Sequence, residues 1–512
     1  MRVNVAAGWM AYAMRLLIGF FLMPFVIHVL GDAQYGFWIF INSIAGYAGL
    51  MYLGFGATVS RYVAKYQATE DWKNLNETVS LVTCVYSVMA CVALAFTGIL
   101  IALAPWINDW GDHSILEIRL VILLLGLSVA SGLVGSVFGG ILIGSRRFDL
   151  ERLVYFLSDV ARLILLVTLL RKEWGLVIIA AIYLGMSVAE NLAYAFLSWR
   201  VIPHLSIRFK HLNWAAFQRC YSFSSFAFLN ALASQLIYAT DTIVIGTCLG
   251  AASIVPYYIA LRLCQFIKQP VEQISEICMP TAGAMQAQSR DESMRTLVIR
   301  TMGVAFLLTS GMFVGCIFFS RLLLDLWMGP GYDETYSLLL VLFAAQIVAL
   351  PVGVLRAFLF GTGNVRIPAL IYLAEAVANL ALSIILCFWL KNLGVALGTA
   401  IPILLFELFL LLPYGLKTLK IPARLLFYDG ILPQAIPLAA LLVYSAAVHH
   451  SLLPNLSPSW STLVGITIGG GSTLGLGLLV QLKLTTPVSL WMRSLLRETS
   501  PKTPRHSREG KA

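Results

Sequence analysis

The 512-residue sequence is 59% hydrophobic and only 12% charged, and its mean hydropathy is +0.84. These values exclude a soluble globular protein, because a soluble domain of this length could not bury so much apolar surface. The formal net charge is +10, and its meaning depends on where the basic residues lie along the chain.

Apolar segments of about 20 residues recur along the whole chain, and each can cross a hydrocarbon core of roughly 30 Å as a helix. We count about fourteen, which predicts an all-α integral membrane protein. The predicted spans are residues 5–30, 36–60, 79–105, 118–143, 153–170, 174–199, 220–249, 254–280, 297–327, 336–361, 367–390, 394–416, 429–448 and 460–482. The first span contains Arg15 and lacks a small-residue cleavage site, so we expect no cleavable signal peptide.

Lysine and arginine are concentrated in alternate loops. Residues 61–73, 146–152 and 417–424 are rich in them, whereas residues 108–114 and 329–335 contain neither. The positive-inside rule then places both termini in the cytoplasm, which agrees with an even number of spans. The positive charge is therefore explained by topology and by attraction to anionic lipid headgroups, and we expect no binding to nucleic acid.

Three segments of the first half recur in the second half at nearly constant offsets of 219, 217 and 219 residues, which indicates an internal duplication. The pairs are "LGDAQYGFWIF" (30–40) with "LGAASIVPYYIA" (249–260), "ILIGSRRFDL" (141–150) with "FLFGTGNVRI" (358–367), and "RKEWGLVIIAAI" (171–182) with "LKNLGVALGTAI" (390–401). Each unit holds six spans, so the sequence predicts two parallel six-helix bundles. We expect the bundles at residues 1–218 and 219–426, two further spans at 427–482, and a basic cytoplasmic tail at 483–512 that is disordered at its end.

The sequence carries no recognisable catalytic or metal-binding motif. The eight cysteines show no CxxC spacing and no accompanying histidine cluster, so we expect neither a metal site nor another cofactor. No Ser-His-Asp, HExxH or ATP-binding pattern stands out. We therefore expect a protein that is not an enzyme; the enzymatic alternative is an intramembrane glycan polymerase or ligase.

Charged residues inside the predicted spans are informative, because each is costly in lipid unless it faces a partner or a cavity. Asp159 and Arg162 are three residues apart on one helix and are interpreted as a local ion pair. Glu190, Glu375 and Glu407 are single acids, for which a protonated form and an interhelical hydrogen bond both remain open. The other members of this set are Arg15, Asp241, Arg262, Lys268, Glu272 and Glu276.

The segment "YYIALRLCQFIKQPVEQISEICMP" (257–280) carries four of these charges in one span. Lys268, Glu272 and Glu276 recur at a spacing of four residues, which places them on one helical face that Gln265 widens. We expect this face to line a water-filled cavity. The alternative is a Lys268 to Glu272 ion pair packed between helices.

Three stretches resemble the oligosaccharidyl-lipid flippases of the polysaccharide transporter family, within the multidrug/oligosaccharidyl-lipid/polysaccharide flippase superfamily. They are "LGDAQYGFWIF" (30–40) with "GYAGLMYLGFGATVSRYVAKY" (46–66), "YATDTIVIGTCLGAASIVPYYIALRL" (238–263) and "FLFGTGNVRIPALIYLAEAVANLALSIILCFWLKNLGVALGTAI" (358–401). The resemblance extends over nearly the whole chain. It implies two six-helix bundles arranged in a V, two further helices, and transfer of an undecaprenyl-diphosphate-linked oligosaccharide to the outer leaflet of the bacterial inner membrane.

This resemblance gives the charged residues of the spans hypothetical roles in alternating access without ATP. The cations expected to hold the diphosphate are Arg15, Arg262 and Lys268. The polar residues expected to contact sugar hydroxyls or a coupling ion, H⁺ or Na⁺, are Asp241, Gln265, Glu272 and Glu276. The expected partners are the lipid-linked glycan, membrane lipid, and a glycan polymerase or other export machinery; the alternative function is a cation-coupled multidrug antiporter.

Overall fold

The computed structural model describes residues 18–52, 55–107, 110–111, 113–208, 232–237 and 239–498, which form helices and turns without a β-strand. The helices of the first half are α1 (Ile18–Leu30), α2 (Asp32–Ala48), α3 (Phe55–Ala68), α4 (Trp72–Ile107), α5 (Ile115–Gly144), α6 (Phe148–Leu169) and α7 (Gly175–Val201). They are followed by α8 (helical residues 232–237 and 239–248), α9 (Ile254–Ala287), α10 (Asp291–Trp327), α11 (Asp333–Gly361) and α12 (Arg366–Phe406). The last helices are α13 (Leu412–Thr418), α14 (Ala423–Leu425), α15 (Ala435–Ala447) and α16 (Trp460–Glu498), with π-helical turns at Glu407–Leu411, Leu426–Ile431 and Val448–Leu452.

Eight helical segments of the described chain are long and apolar enough to cross a membrane. They are Trp72–Ile107, Ile115–Gly144, Gly175–Val201, Asp291–Trp327, Asp333–Gly361, Arg366–Thr418, Ala423–Asn455 and Trp460–Gln481. This confirms the predicted all-α membrane class, and the predicted count of fourteen spans is approximate.

The segment Arg366–Thr418 corresponds to two of the predicted spans. Its 53 residues would extend about 80 Å as one straight helix, more than twice the hydrocarbon thickness. Lys391 interrupts α12 with a left-handed backbone (φ 52°), between the predicted spans 367–390 and 394–416. A Cβ on Gly398 would lie 2.5 Å from the backbone nitrogen of Ser383, so the two arms of α12 pack closely against each other.

Left-handed backbone positions recur at the predicted repeat offsets. Three residues of the first half with a positive φ have a counterpart 217 or 219 residues later that also has a positive φ. Such positions are uncommon for non-glycine residues, and two of the three pairs include at least one non-glycine residue. The matches therefore agree with a duplication. The pairs are Gly31 with Gly250, Glu70 with Ser289, and Arg146 with Gly363.

Contacts divide the chain into two compact units. The first comprises Met1–Phe266, Gly331–Ala345 and Asn364–Leu410, and the second comprises Ile267–Pro330, Gln346–Gly363 and Leu411–Ala512. These units do not test the boundaries predicted for the six-helix bundles, which stay a prediction.

In the first unit, α5 packs against α3, α4 and α7. The helix begins at Ser114, whose hydroxyl accepts a hydrogen bond from the backbone N–H of Glu117 (3.1 Å) and so satisfies one free amide of the first turn. A Cβ on Gly135 would lie 2.0 Å from Asn191 of α7, so this glycine permits the close contact of the two helices. Tyr86 and Leu133 are fully buried in the resulting core.

Helix α2 also packs along α8 and the short turn that follows it, within the same unit. The hydroxyl of Thr242 donates a hydrogen bond to that of Ser43 (2.7 Å), and a Cβ on Gly36 would lie 2.0 Å from the carbonyl oxygen of Ala251. These contacts join a helix of the first predicted bundle to elements of the second.

A loop contact lies at the start of α2. The phenol of Tyr332 donates a hydrogen bond to Asp32 (2.9 Å). Burial raises the pKa of Tyr332 above its ordinary value, and the neighbouring Asp32 raises it further. The phenol therefore remains protonated and keeps its role as the donor.

In the second unit, α10 packs against the π-helical turn Leu426–Ile431 and against α15, and α15 packs against α16. A Cβ on Gly303 would lie 2.5 Å from the carbonyl oxygen of Gly430. Helix α16 continues to Glu498, beyond the predicted end of the last span at residue 482. The rest of the predicted tail, residues 499–512, lies outside the described residues.

Candidate functional site

Asp241 on α8 is the most deeply buried of the predicted site residues, with 1% of its surface exposed. Its carboxylate accepts hydrogen bonds from the hydroxyls of Tyr257 (2.5 Å), Thr399 (2.7 Å) and Ser383 (3.3 Å). No basic side chain of the described chain forms an ion pair with it. Three neutral donors therefore surround a buried acid.

The two hydroxyls from α12 come from its opposite arms, which meet because the helix breaks at Lys391. The same hydroxyls also contact the backbone carbonyl of Val395, at 3.4 Å from Ser383 and 3.2 Å from Thr399. Asn379, which is fully buried, donates a hydrogen bond to Thr399 (2.9 Å). Its own carbonyl oxygen Oδ1 has no hydrogen-bond partner in the described part of the chain. We call Asp241, Tyr257, Asn379, Ser383 and Thr399 the Asp241 cluster.

The Asp241 cluster has the chemistry of a site for a proton or a small hard cation. A buried carboxylate without a compensating positive charge is strongly unfavourable. It can become neutral by protonation, or it can hold a cation such as Na⁺ with carboxylate, hydroxyl and carbonyl oxygens as ligands.

Arg262 on α9 lies among aromatic side chains in the first unit. Its guanidinium is 5.5 Å from the ring centre of Tyr258 and donates a hydrogen bond to Gln265 (3.0 Å). Tyr258 in turn contacts Tyr35 of α2, with ring centres 6.2 Å apart. The side chain is half-buried, and no described acid pairs with it.

The predicted local ion pair of α6 is confirmed: Arg162 donates a hydrogen bond to Asp159 at 2.8 Å. Arg162 also lies over the ring of Tyr183 on α7, at 5.0 Å from its centre. Tyr183 contacts the buried Trp38 of α2, with ring centres 5.2 Å apart.

The remaining predicted site residues on α9 belong to the second unit. Lys268 and Glu272 form an ion pair at 3.2 Å, as the alternative interpretation of this helix expected. Glu272 nevertheless keeps about half of its side chain exposed (47%), and Glu276 is exposed as well. The cavity-lining role of this face stays a prediction.

Arg15 lies outside the described residues. Of the three single acids, Glu190 accepts a hydrogen bond from Ser158 (3.1 Å), while Glu375 and Glu407 are each 2% exposed. Of the predicted site residues, the structure therefore brings Asp241 together with partners from α9 and α12. It also brings Arg262 together with Gln265.

Sequence reasoning did not identify the hydroxyl partners of Asp241 or the aromatic residues around Arg262. Serine, threonine and tyrosine are common in membrane helices, so no local pattern singles out Tyr257, Ser383 or Thr399. The available signal was Asp241 itself, an acid within an apolar span.

Comparisons with known proteins are consistent across family, sequence and fold. Residues 70–337, slightly more than half of the chain, match the family model described as "Polysaccharide biosynthesis protein". The chain is 22% identical over 414 residues to a "Putative O-antigen transporter" of Shigella flexneri, an alignment that covers 78% of this chain and 94% of that protein.

Two solved structures share the fold. One is the lipid II flippase MurJ in an inward closed conformation, with a TM-score of 0.68, 16% identity, and coverage of 97% of this chain and 100% of that chain. The other is an inward-facing multidrug resistance transporter of the MATE family, with a TM-score of 0.68, 15% identity, and coverage of 79% and 94%. The chain therefore shares its fold with these two solved structures.

Proposed function

The chain belongs to the family of polysaccharide biosynthesis proteins, and from this membership we propose that it is a flippase for a lipid-diphosphate-linked oligosaccharide. The substrate moves from the inner to the outer leaflet of the cytoplasmic membrane and supplies a cell-surface polysaccharide. Its carrier is undecaprenyl diphosphate, and the protein works by alternating access rather than as an enzyme. The observation that carries this proposal is Arg262, a half-buried cation without an acidic partner among the described residues.

Arg262 supports an anionic substrate because a guanidinium binds phosphate oxygens through charged, paired hydrogen bonds. Such bonds are stronger in a protein interior than in water, since the effective dielectric constant is lower. In this proposal Arg262 holds the diphosphate. The same role for Arg15 and Lys268 stays a prediction.

A cation-coupled multidrug antiporter is the alternative, because MATE transporters share the fold. A binding site for cationic drugs requires an acidic and aromatic surface. The aromatic residues Tyr35 and Tyr258 are present, but the neighbouring cation, Arg262, would repel a cationic drug. This electrostatic mismatch favours the lipid-linked glycan.

The Asp241 cluster supports coupling to an ion, as predicted for Asp241. In this proposal, H⁺ or Na⁺ binds to the carboxylate and compensates its buried charge. The membrane potential adds a second driving force, because a substrate with two negative charges gains about 4 to 5 kcal/mol per 100 mV if both charges cross the full field.

The location follows the same proposal: a multi-pass protein of the bacterial inner membrane with both termini in the cytoplasm. Reporter fusions after Lys65, Arg147 and Lys420 should all give a cytoplasmic signal. Periplasmic signals from two of them would overturn this orientation. Association with a glycan polymerase stays a prediction.

Leaflet transfer in proteoliposomes tests the function. The full-length protein is reconstituted with undecaprenyl-diphosphate-linked N-acetylglucosamine, and an impermeant galactosyltransferase with UDP-galactose is added outside. Without transfer, about half of the glycolipid is modified; the wild-type protein should raise this fraction towards completion. Arg262→Gln should slow the rise by roughly tenfold or more, because a charged hydrogen bond is lost.

Arg147→Gln is the matched control, since Arg147 is an exposed loop arginine. Ethidium export from the same liposomes tests the antiporter alternative. Wild-type protein that exports ethidium but leaves the glycolipid fraction at its protein-free value would overturn the flippase proposal.

A further inference from the structure

Asp159 and Arg162 lie on the side of α6 that faces away from its exposed apolar surface. Leu153, Leu157 and Ile164 are exposed and lie within about 40° of one another around the helix axis, whereas Arg162 is roughly 160° away. The ion pair is therefore directed towards the protein and not towards lipid.

Tyr183 has the same orientation on the neighbouring helix. The exposed residues Val188, Leu192 and Phe196 of α7 lie roughly 180° from Tyr183 around the axis. Tyr183 is half-buried, and the side chains of Arg162 and Asp159 keep 21% and 13% of their surface exposed. The three residues thus form a partly accessible polar and aromatic surface inside the helical assembly.

This surface continues into the surroundings of Arg262. Tyr183 contacts Trp38 of α2, with ring centres 5.2 Å apart. Tyr35, one turn earlier on α2, contacts Tyr258, and the ring of Tyr258 lies 5.5 Å from the guanidinium of Arg262. The ion pair of α6 and Arg262 of α9 therefore approach the same face of α2 through these aromatic contacts.

The ion pair of α6 and Arg262 differ in net charge, which indicates different ligands. Arg262 carries a net positive charge and suits a phosphate. The Asp159 and Arg162 pair is neutral overall, so it has little net attraction for an anion, but it offers charged hydrogen-bond donors and acceptors to neutral polar groups. The Nε of Arg162 is buried and has no hydrogen-bond partner among the described residues, so this part of the chain leaves one donor unused.

The ring of Tyr183 adds an aromatic face beside these groups. The face of an aromatic ring carries partial negative charge and attracts the C–H groups of an apolar ring surface. A pyranose has both features, hydroxyls at its edge and C–H groups on its faces. A neutral ion pair next to an aromatic ring therefore suits a sugar better than a phosphate or a lipid chain.

We propose that Asp159, Arg162 and Tyr183 form a sugar subsite that binds the first sugar attached to the diphosphate, while Arg262 holds the diphosphate. This inference rests on the proposed function and deepens it. A second phosphate site is less suitable, because Asp159 would repel the anion. A purely structural ion pair would stabilise the fold without distinguishing between ligands.

Two probes that differ only in the sugar separate these possibilities. Full-length protein in nanodiscs is titrated with undecaprenyl diphosphate and with undecaprenyl-diphosphate-linked N-acetylglucosamine, and the ratio of the two dissociation constants is measured by microscale thermophoresis. The ratio within one variant is independent of the fraction of folded protein. The wild type should bind the sugar-bearing probe more tightly.

Arg162→Gln and Asp159→Asn should each weaken binding of the sugar-bearing probe by roughly tenfold. The dissociation constant for undecaprenyl diphosphate should stay within about twofold of the wild-type value. Tyr183→Leu should also reduce the ratio, whereas Tyr183→Phe, which keeps the ring, should retain it. The exposed Arg147 and Asp149 form a comparable ion pair at 3.0 Å, so Arg147→Gln and Asp149→Asn should leave the ratio unchanged.

Equal wild-type affinity for both probes, or equal weakening of both probes in Arg162→Gln, would overturn the sugar subsite. Arg262→Gln separates this outcome from a failure of the proposed function. The Arg262→Gln substitution should weaken the binding of both probes equally. If it weakens neither, the diphosphate site is wrong, and the sugar preference of the wild type can still be judged from the ratio.

Discussion

Tyr257 donates a hydrogen bond to the buried carboxylate of Asp241, which joins α9 to α8. The hydroxyls of Thr399 and Ser383 attach the same carboxylate to α12. An ion that binds to or leaves Asp241 therefore changes the contacts among three helices at once. This gives a physical route from ion binding to a change of conformation, because the donors must reorient when the carboxylate is protonated or coordinates a cation.

Asp241→Asn should abolish the response of transport to an ion gradient. The asparagine amide has nearly the same size as the aspartate carboxylate. It can neither carry a negative charge nor take up a proton near neutral pH. The measurement is leaflet transfer of undecaprenyl-diphosphate-linked N-acetylglucosamine in proteoliposomes with an imposed Na⁺ or pH gradient. The wild type should respond to one of these gradients.

Asp149→Asn is the matched control, because Asp149 is an exposed acid outside the spans. The neighbouring Arg147 lowers the pKa of Asp149. This variant should respond to gradients like the wild type. A gradient response in Asp241→Asn equal to that of the wild type would show that Asp241 does not bind the coupling ion.

A disulfide between α2 and α8 should arrest transport if the protein works by alternating access. The hydroxyls of Ser43 and Thr242 are 2.7 Å apart, so a pair of cysteines at these positions is close enough to form a disulfide. In a background without native cysteines, oxidation of Ser43→Cys/Thr242→Cys should stop leaflet transfer, and a reducing agent should restore it.

A matched pair lies within the first predicted bundle, where Asn191 of α7 donates to Ser131 of α5 at 3.1 Å. Oxidised Ser131→Cys/Asn191→Cys should retain transport, because these helices are expected to move as one body. Full transport by the oxidised Ser43→Cys/Thr242→Cys protein would contradict opening between α2 and α8.

Features that repeat along the chain could be predicted from the sequence alone. The nearly constant offset between the two halves predicted a duplication, and Gly31 and Gly250 have similar backbone geometry, with φ of 79° and 91°. The division into two six-helix bundles stays a prediction. The Lys268 and Glu272 pair was also predictable, because residues four apart on a helix are neighbours.

Contacts between distant segments were not predictable in this way. Ser383 and Thr399 meet at Asp241 because α12 folds back at Lys391, and a lysine with a left-handed backbone has no distinctive local pattern. The approach of Arg162 and Arg262 to one group of aromatic side chains likewise depends on how α6, α7 and α9 pack near α2. Such sites require the tertiary packing, since no residue spacing along one helix encodes them.

The charged face of α9 should be accessible to water. Single cysteines replacing Glu272 or Glu276 should react with a small, charged, membrane-impermeant thiol reagent in a cysteine-free background. Both positions keep substantial exposure, and acids exposed on a membrane helix favour a water-filled cavity over lipid.

Val271→Cys is the control on the same helix, because Val271 is fully buried. It should react much more slowly. Equal protection of all three cysteines would contradict the cavity and would favour the ion pair packed between helices.

Gly36→Ala should destabilise the contact between α2 and the turn after α8. The added Cβ would lie 2.0 Å from the backbone carbonyl oxygen of Ala251, and a backbone atom cannot move aside as the end of a side chain can. Forcing an extra methyl group into a packed contact typically costs about 1 to 3 kcal/mol. Thermal unfolding of the purified protein, followed by tryptophan fluorescence, should give a lower midpoint for this variant.

Gly98→Ala on α4 is the matched control, because no described residue outside its own helical turn places an atom within 4 Å of its Cβ position. Alanine is the better helix former by up to about 1 kcal/mol, so this control should unfold at the wild-type midpoint or above it. If Gly36→Ala unfolds at the same temperature as Gly98→Ala, the close approach of α2 to Ala251 is not a significant source of stability, and the glycine at this position needs another explanation.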